Sequence, residues 1–116
     1  MAAVGEAMLL AKATGVDMAK VREALLGGFA QSRILDIHGQ RILDNNFTPG
    51  FKAKLHNKDM GIALSSAAAR GLSLPGSQLA ANHLKKLVEQ GRGDEDSSAM
   101  CKVIAQQSQF RLFEKQ

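Results

Sequence analysis

Apolar residues recur at helical spacing along most of this 116-residue chain, and breaks rich in glycine, proline and asparagine divide the pattern into six segments. The segments cover about 1–14, 18–26, 31–46, 51–70, 76–90 and 98–113. No segment alternates apolar and polar residues convincingly with the period of two that marks a half-buried strand. The chain is therefore predicted to be all-α, a compact bundle of about six helices forming a single domain over residues 1–116.

The composition agrees with helices that lie close together. Hydrophobic residues make up 45% of the chain, about the average for a globular protein, so the sequence can form a core. Aromatic residues make up only 4%, and alanine, leucine, methionine and glycine take their place. Asp17 is well placed to cap the second helix, and Gly15 and Gly71 are well placed to end the first and fourth.

Charge and cysteine content argue against several classes of protein. The net charge of +4 is dispersed, whereas nucleic-acid binders usually cluster their basic residues, so we expect no nucleic-acid partner. No apolar run approaches the roughly 18 residues of a membrane span, so we expect no membrane association. The single cysteine, Cys101, cannot form an internal disulfide, which suits a reducing compartment and predicts a cytoplasmic protein.

Familiar catalytic and metal-binding motifs are missing from the sequence. His38, His56, His83 and Cys101 have no metal-ligand spacing, so no metal is expected. The histidines are expected at the surface or with their hydrogen bonds satisfied, and the cysteine as a buried structural thiol. The tripeptide at 92–94, Arg-Gly-Asp, is interpreted as part of a turn and cap. The sequence contains neither a GxGxxG fingerprint nor a Walker A loop.

A lysine interrupts an apolar stripe on the fourth predicted helix. Phe51, Leu55 and Ile62 share one face, and Lys58 falls in the middle of it, with Asp59 beside it. On one hypothesis Lys58 snorkels, with its stem packed and its ammonium in water. On the other, this face lines a cleft in which the charge meets a ligand.

The same helix has a second apolar face roughly opposite the first, formed by Met60, Ala63, Leu64 and Ala67. A helix that is apolar on two sides is predicted to be a central one.

Longer stretches resemble a known family. These are GEAMLLAKATGVDMAKVREAL, FTPGFKAKLHNKDMGIAL and LSLPGSQLAANHLKKLVEQGRGDEDSSAM, at 5–25, 47–64 and 72–100. They resemble the C-terminal domain of the β-hydroxyacid dehydrogenases. That group includes 3-hydroxyisobutyrate dehydrogenase and 2-hydroxy-3-oxopropionate reductase and is related to 6-phosphogluconate dehydrogenase. The resemblance implies a fold like the 6-phosphogluconate dehydrogenase C-terminal domain, with no Rossmann domain in this chain.

The resemblance also implies roles for individual residues. The lysine matching Lys58 contacts the nicotinamide cofactor at the cleft between domains, and Phe51 and Asp59 match positions that border the same active site. The family's catalytic lysine matches a position upstream of Met1, so no catalytic residue is expected here. The chain is expected to begin partway along the family's interdomain helix, and the N-terminal Rossmann domain is expected to be a missing partner.

The expected function is that of the substrate-binding and dimerisation domain of an NAD(P)-dependent β-hydroxyacid dehydrogenase, inactive by itself. The resemblance implies NAD or NADP in the full-length enzyme, no tight cofactor binding by this chain alone, and a homodimer or higher homo-oligomer. The alternative is a truncated, non-enzymatic helical module for dimerisation or interaction. An electrostatic nucleic-acid binder is the third hypothesis.

Overall fold

The computed structural model describes residues 1–113, which form six α-helices and one short 3-10 helix. The helices are α1 (Ala2–Ala13), α2 (Met18–Leu26), α3 (Arg33–Leu43), α4 (Ala53–Ala69), α5 (Pro75–Glu89) and α6 (Met100–Gln107), with the 3-10 helix at Ser97–Ala99. Residues 1–113 contain no β-sheet, although Lys52 and Asp96 form an isolated antiparallel bridge. The prediction of a bundle of about six helices is confirmed.

The ends of several helices follow the predicted chemistry. The Asp17 carboxylate accepts a hydrogen bond from the Ala19 amide at 2.9 Å and caps α2. The Ser32 hydroxyl likewise accepts from the Leu35 amide at 3.0 Å and caps α3. Gly15 and Gly71 follow α1 and α4 with φ angles of 79° and 71°, a left-handed conformation that glycine adopts without steric cost.

Helix α6 is the centre of the molecule. Residues 100–105 are all buried, and α6 packs against α1 and α5. Lys102 lies within this run, where its ammonium is 3.1 Å from a Glu95 carboxylate oxygen and 4.5 Å from the centre of the Phe47 ring. An ion pair and a cation–π contact therefore compensate for burying this charge.

Helix α4 is peripheral, so the prediction that it is central was wrong. It packs chiefly against α5, and of its 17 described residues only Ala53 and Ala67 are buried. Met60 packs partly buried against the core, and Leu64 is also partly covered. Met60, Leu64 and Ala67 of the second apolar face are therefore turned towards the protein, although Ala63 of that face is exposed. The face that carries Lys58 is open to solvent.

The last predicted helix is shorter than the apolar pattern indicated. Helix α6 ends at Gln107, and Gln109 adopts a φ of 52°. The chain beyond this turn buries Leu112 and Phe113, and the Phe113 ring meets the Phe47 ring edge to face at 5.7 Å. Leu112 and Phe113 thus reach the core through a turn and not as part of a helix. Their spacing from the apolar residues of α6 resembles helical periodicity, which explains why the predicted helix was too long.

Candidate functional site

The Lys58 face of α4 is open to solvent. Leu55 and Ile62 are 44% and 60% exposed, and Lys58 between them is also exposed. Phe51, which precedes α4 rather than belonging to it, is 41% exposed. Lys58 is therefore not an ammonium buried in a core. It lies in an apolar stripe that residues 1–113 leave uncovered, which we call the Lys58 stripe (Leu55, Lys58 and Ile62).

Lys58 differs from neighbouring lysines in having no ionic partner within residues 1–113. Lys54 and Lys52 lie 2.8 Å and 3.5 Å from the Asp94 carboxylate, and Lys102 pairs with Glu95. The positive charge of Lys58 is thus available to an external anion. Its apolar neighbours would exclude water from one side of such a contact.

Phe51 and Asp59, the other two predicted site residues, both border His56. The Phe51 ring lies 5.5 Å from the His56 imidazole, and Asp59 follows His56 by three residues on the same helix. Burial lowers the pKa of His56, and the negative charge of Asp59 opposes this effect. His56 and Lys58 are two positions apart on α4 and so point to nearly opposite sides.

Asp96 organises the segment that precedes α4. One carboxylate oxygen accepts hydrogen bonds from the Gly50 and Phe51 amides at 3.0 and 3.1 Å. The other accepts from the Ser98 amide at 3.0 Å and from the Ser98 hydroxyl. Burial alone would raise the pKa of Asp96, but these hydrogen bonds outweigh it and hold the pKa below its usual value.

The capping part of this role is local, because Asp96 directly precedes the 3-10 helix whose Ser98 amide it caps. Its second partner, the segment at 50–51, lies more than 40 residues earlier in the chain. The sequence around Asp96 therefore could not predict this contact.

The three histidines correct a prediction. They were expected at the surface or with satisfied hydrogen bonds, yet the Nδ1 atom of each is buried and makes no hydrogen bond within residues 1–113. Nδ1 of His38 does lie 3.6 Å from the Asp96 carboxylate, close enough for an ion pair when the imidazole is protonated. His38 and His56 line one cavity, together with Arg41, Asp96 and Ser97. His83 lies elsewhere, in an apolar groove between α1, α5 and α6. The cavity was not foreseen, because its polar side chains come from three separate segments: α3, α4 and residues 96–97.

Cys101 is a buried free thiol, as predicted, and burial raises its pKa to about 12. Such a thiol is not a nucleophile near neutral pH. Among residues 1–113, no three histidine, cysteine, aspartate or glutamate side chains are arranged to hold a metal ion. No helix in this part of the chain is long and apolar enough to cross a bilayer.

Comparison with known proteins places these observations in a family. The family model described as NAD-binding of NADP-dependent 3-hydroxyisobutyrate dehydrogenase matches residues 1–104. The 2-hydroxy-3-oxopropionate reductase of Escherichia coli (strain K12) is 41% identical over 110 residues, which are 95% of this chain and 38% of that protein.

A crystal structure and a more distant relative extend the comparison. The structure of 3-hydroxyisobutyrate dehydrogenase from Salmonella typhimurium gives a TM-score of 0.83 at 28% identity, covering 88% of this chain and 36% of that one. Cytokine-like nuclear factor N-PAC of Xenopus tropicalis is 31% identical over 103 residues, 89% of this chain and 19% of that protein. The resemblance read from the sequence is confirmed, and the chain belongs to the 3-hydroxyisobutyrate dehydrogenase family.

Proposed function

We propose that this chain serves as the C-terminal, substrate-binding and dimerisation domain of an NAD(P)-dependent β-hydroxyacid dehydrogenase of the 3-hydroxyisobutyrate dehydrogenase or 2-hydroxy-3-oxopropionate reductase type. Its helical bundle would correspond to the C-terminal domain of 6-phosphogluconate dehydrogenase, with no Rossmann domain in this chain. The chain spans 38% of the length of the Escherichia coli reductase. We assign the GxGxxG turn of a Rossmann domain, and the catalytic lysine, to the region of such enzymes that this chain does not match. Residues 1–104, matched by a family model described as NAD-binding, would add further contacts to the cofactor.

The Lys58 stripe is the observation that carries the proposal. It combines exposed apolar side chains with an ammonium that no residue in 1–113 pairs with. Apolar residues around a charged group are typical of the wall of a ligand-binding cleft. The matching families act on substrates and cofactors that carry negative charge, which such a wall suits.

The residues of the stripe fit a nicotinamide dinucleotide. NAD and NADP present phosphate oxygens and a planar amide-bearing ring, and when bound they accept or supply the hydride. In this proposal the Lys58 ammonium donates a charge-assisted hydrogen bond to the cofactor. Leu55 and Ile62 exclude water beside that bond, and Phe51 and Asp59 border the substrate.

A hybrid enzyme tests this role. The chain is joined to the N-terminal part of the Escherichia coli reductase in place of the region it matches, and kcat/KM is measured for cofactor-dependent reduction of 2-hydroxy-3-oxopropionate. We expect turnover by the hybrid. Lys58→Met should lower kcat/KM roughly ten- to a hundredfold, because one charge-assisted hydrogen bond is worth about 1.5–3 kcal/mol.

Lys85→Met is the matched control, since Lys85 is also exposed but lies on α5 and outside the stripe. It should leave kcat/KM unchanged. Equal kcat/KM for both variants and the unsubstituted hybrid would contradict the role of Lys58. A folded hybrid that binds cofactor and shows no turnover would contradict the enzymatic role itself.

The chain alone is expected to show no dehydrogenase activity, because its sequence has no GxGxxG fingerprint and no match to the catalytic lysine. Purified chain should not oxidise NADH or NADPH in the presence of 2-hydroxy-3-oxopropionate. Turnover that persists at constant specific activity through repeated purification would overturn this expectation.

The second candidate is a non-enzymatic helical interaction module. It is favoured by the similarity to cytokine-like nuclear factor N-PAC, whose name describes a nuclear factor rather than an enzyme. In that case the exposed apolar residues of α4 would bind another protein. A hybrid that is folded but neither binds cofactor nor turns over substrate would support this candidate over the first.

A further inference from the structure

His56 lies next to two of the predicted site residues, on the side of α4 away from Lys58. Its imidazole is half-buried, and the ring centre lies 5.5 Å from that of the Phe51 ring, with the two planes tilted by 50°. This separation falls within the roughly 4.5–7 Å over which aromatic rings attract one another. Asp59, three residues later on the same helix, contributes a negative charge near the imidazole.

The backbone of Phe51 is held on both sides, whereas its side chain is not. The Phe51 amide donates to the Asp96 carboxylate at 3.1 Å, and the Phe51 carbonyl accepts from the Ser97 amide at 3.0 Å. The side chain is exposed, and it precedes α4, so no turn of its own helix restrains it. The ring can therefore rotate about the side-chain bonds while the backbone stays in place.

The cavity that His38 and His56 line gives the Phe51 ring a place to turn into. Its volume is about 330 Å³, and Phe51 forms part of its wall. An apolar cavity of about 150 Å³ already admits a benzene molecule, so this space is large enough for a phenyl ring. Ile34 and Ile37 on α3 supply apolar surface for the ring to pack on. Hydrophobic burial therefore favours an inward ring unless a neighbour keeps it out.

The His56 imidazole is placed to be that neighbour. It contacts the Phe51 ring and lines the same cavity. Its Nδ1 atom is buried and makes no hydrogen bond within residues 1–113. Through this atom the side chain gains nothing from hydrogen bonding, so what it offers to Phe51 is the surface of a flat ring.

We propose that His56 is a positioning residue for Phe51. Its ring keeps the Phe51 ring out of the cavity and at the surface, where Phe51 borders the substrate of the proposed enzyme. The consequence for the substrate rests on the proposed function, whereas the orientation of the Phe51 ring is a property of this chain alone. His56 acts through Phe51 and needs no contact with substrate or cofactor.

Fluorine NMR of the intact chain tests where the ring lies. All five phenylalanines are replaced by 4-fluorophenylalanine during expression, and the Phe51 signal is assigned by its absence in Phe51→Leu. A soluble gadolinium chelate broadens the signals of exposed rings. In His56→Ala the Phe51 signal should shift and should be broadened less, because the ring turns into the cavity. A neighbour that merely covered Phe51 would have the opposite effect, since its removal would expose the ring further.

Two further variants and one signal serve as controls. His56→Phe keeps a flat ring, so the Phe51 signal should be broadened as in the parent chain. His83→Ala also removes an imidazole whose buried Nδ1 makes no hydrogen bond within residues 1–113, but His83 lines the groove between α1, α5 and α6. It should leave the Phe51 signal unchanged. Phe29, fully exposed between α2 and α3, is the internal reference for broadening.

The hybrid enzyme tests the consequence for the substrate. His56→Ala should raise KM for 2-hydroxy-3-oxopropionate about tenfold, since small misplacements of groups that position a substrate cost up to about a hundredfold. KM for the cofactor should not change, because Lys58 points to nearly the opposite side of α4. His56→Phe should restore the parent KM for the substrate.

The possible results separate the positioning role from the proposed function. A Phe51 signal that is unchanged or more strongly broadened in His56→Ala would overturn the proposal. Failure of His56→Phe to restore the signal would also overturn it, because an imidazole nitrogen would then be required. An equal change in His83→Ala would indicate a general loosening of the fold and contradict a specific role. An unchanged KM in a hybrid whose Phe51 ring has turned inward would refute the positioning role. A hybrid without turnover contradicts the proposed function, and the fluorine signals of the chain then decide the role of His56.

Discussion

Asp96 connects parts of the chain that are far apart in sequence. Its carboxylate holds the amides of residues 50–51 and also caps the 3-10 helix before α6. The same residue contributes a backbone amide that donates to the Phe47 carbonyl at 2.9 Å. The Asp96 side chain therefore helps to fix the start of α4 and the position of Phe51, together with backbone hydrogen bonds such as that from the Ala53 amide to the Glu95 carbonyl at 2.8 Å.

Asp96→Asn should destabilise the fold by about 3 kcal/mol, the scale for disrupting a buried, hydrogen-bonded charge. The asparagine NH2 group would meet amide donors where an acceptor is needed. Urea unfolding followed by circular dichroism measures the change. Asp94→Asn is the control, because Asp94 is exposed and pairs with Lys54 at the surface. The free energy of unfolding of this variant should stay close to that of the parent chain. Equal effects of the two substitutions would contradict the role given to Asp96.

His38 and His56 make stability depend on pH. Burial lowers the pKa of both imidazoles, although the charge of Asp96 opposes this at His38 and that of Asp59 at His56. The unfolded chain, with histidines near their usual pKa of about 6.5, then binds more protons than the folded chain. This contribution to stability is complete above about pH 6.5 and is lost as the pH falls through the lower folded pKa values.

We therefore expect the free energy of unfolding to decrease between about pH 7 and about pH 5. Urea unfolding across this range measures the decrease. In a chain carrying both His38→Gln and His56→Gln, the dependence on pH should be smaller. An identical slope in the double variant would show that other groups cause it.

At the level of helices, the sequence predicted the number of helices and the approximate limits of the first five, but it extended the sixth beyond its end at Gln107. Local chemistry sets these features: caps such as Asp17, stops such as Gly15, and the helical recurrence of apolar residues. It did not predict which helix is central. Periodicity shows that a face is apolar but not what covers it, so α4 was placed inside, whereas α6, with its buried Lys102, occupies the centre.

The two faces of α4 should respond differently to truncation. Met60 packs against the core, so Met60→Ala should cost about 1–2 kcal/mol, less than the cost at a fully buried site. Ile62 is 60% exposed, so Ile62→Ala should change stability by no more than about 0.5 kcal/mol. Thermal unfolding of both variants measures the difference. A larger loss for Ile62→Ala would mean that the Lys58 stripe is covered.

For the whole molecule, the sequence foresaw one of the two candidate sites. The Lys58 site could be predicted because Lys58 and its apolar neighbours belong to one helix, so the sequence of that segment alone shows that they share a face. The histidine cavity draws on α3, the segment at 50–51, α4 and the segment at 96–97. Only the tertiary fold brings these together. None of its members is unusual in its own segment.

An apolar groove of about 680 Å³ lies between α1, α5 and α6. Leu10 and Leu79 line it and are 66% and 51% exposed. Exposed apolar surface of this extent is typical of an interaction site. In the proposed dimerisation domain, the occupant we expect is a second copy of the chain.

We predict that the chain self-associates through this groove, by isologous contacts if it is a dimer. Sedimentation equilibrium at tens of micromolar should show a dimer or higher oligomer. The double substitution Leu10→Lys and Leu79→Lys should convert the oligomer to monomer, because two ammonium groups would have to be desolvated in the interface.

The matched control is Val16→Lys with Leu72→Lys, which replaces apolar residues of similar exposure, 50% and 59%, outside the groove. If both double variants lose the oligomer equally, the loss is a general effect of the added charge. A monomeric parent chain would refute self-association, and an oligomer that survives the Leu10 and Leu79 changes would place the interface elsewhere.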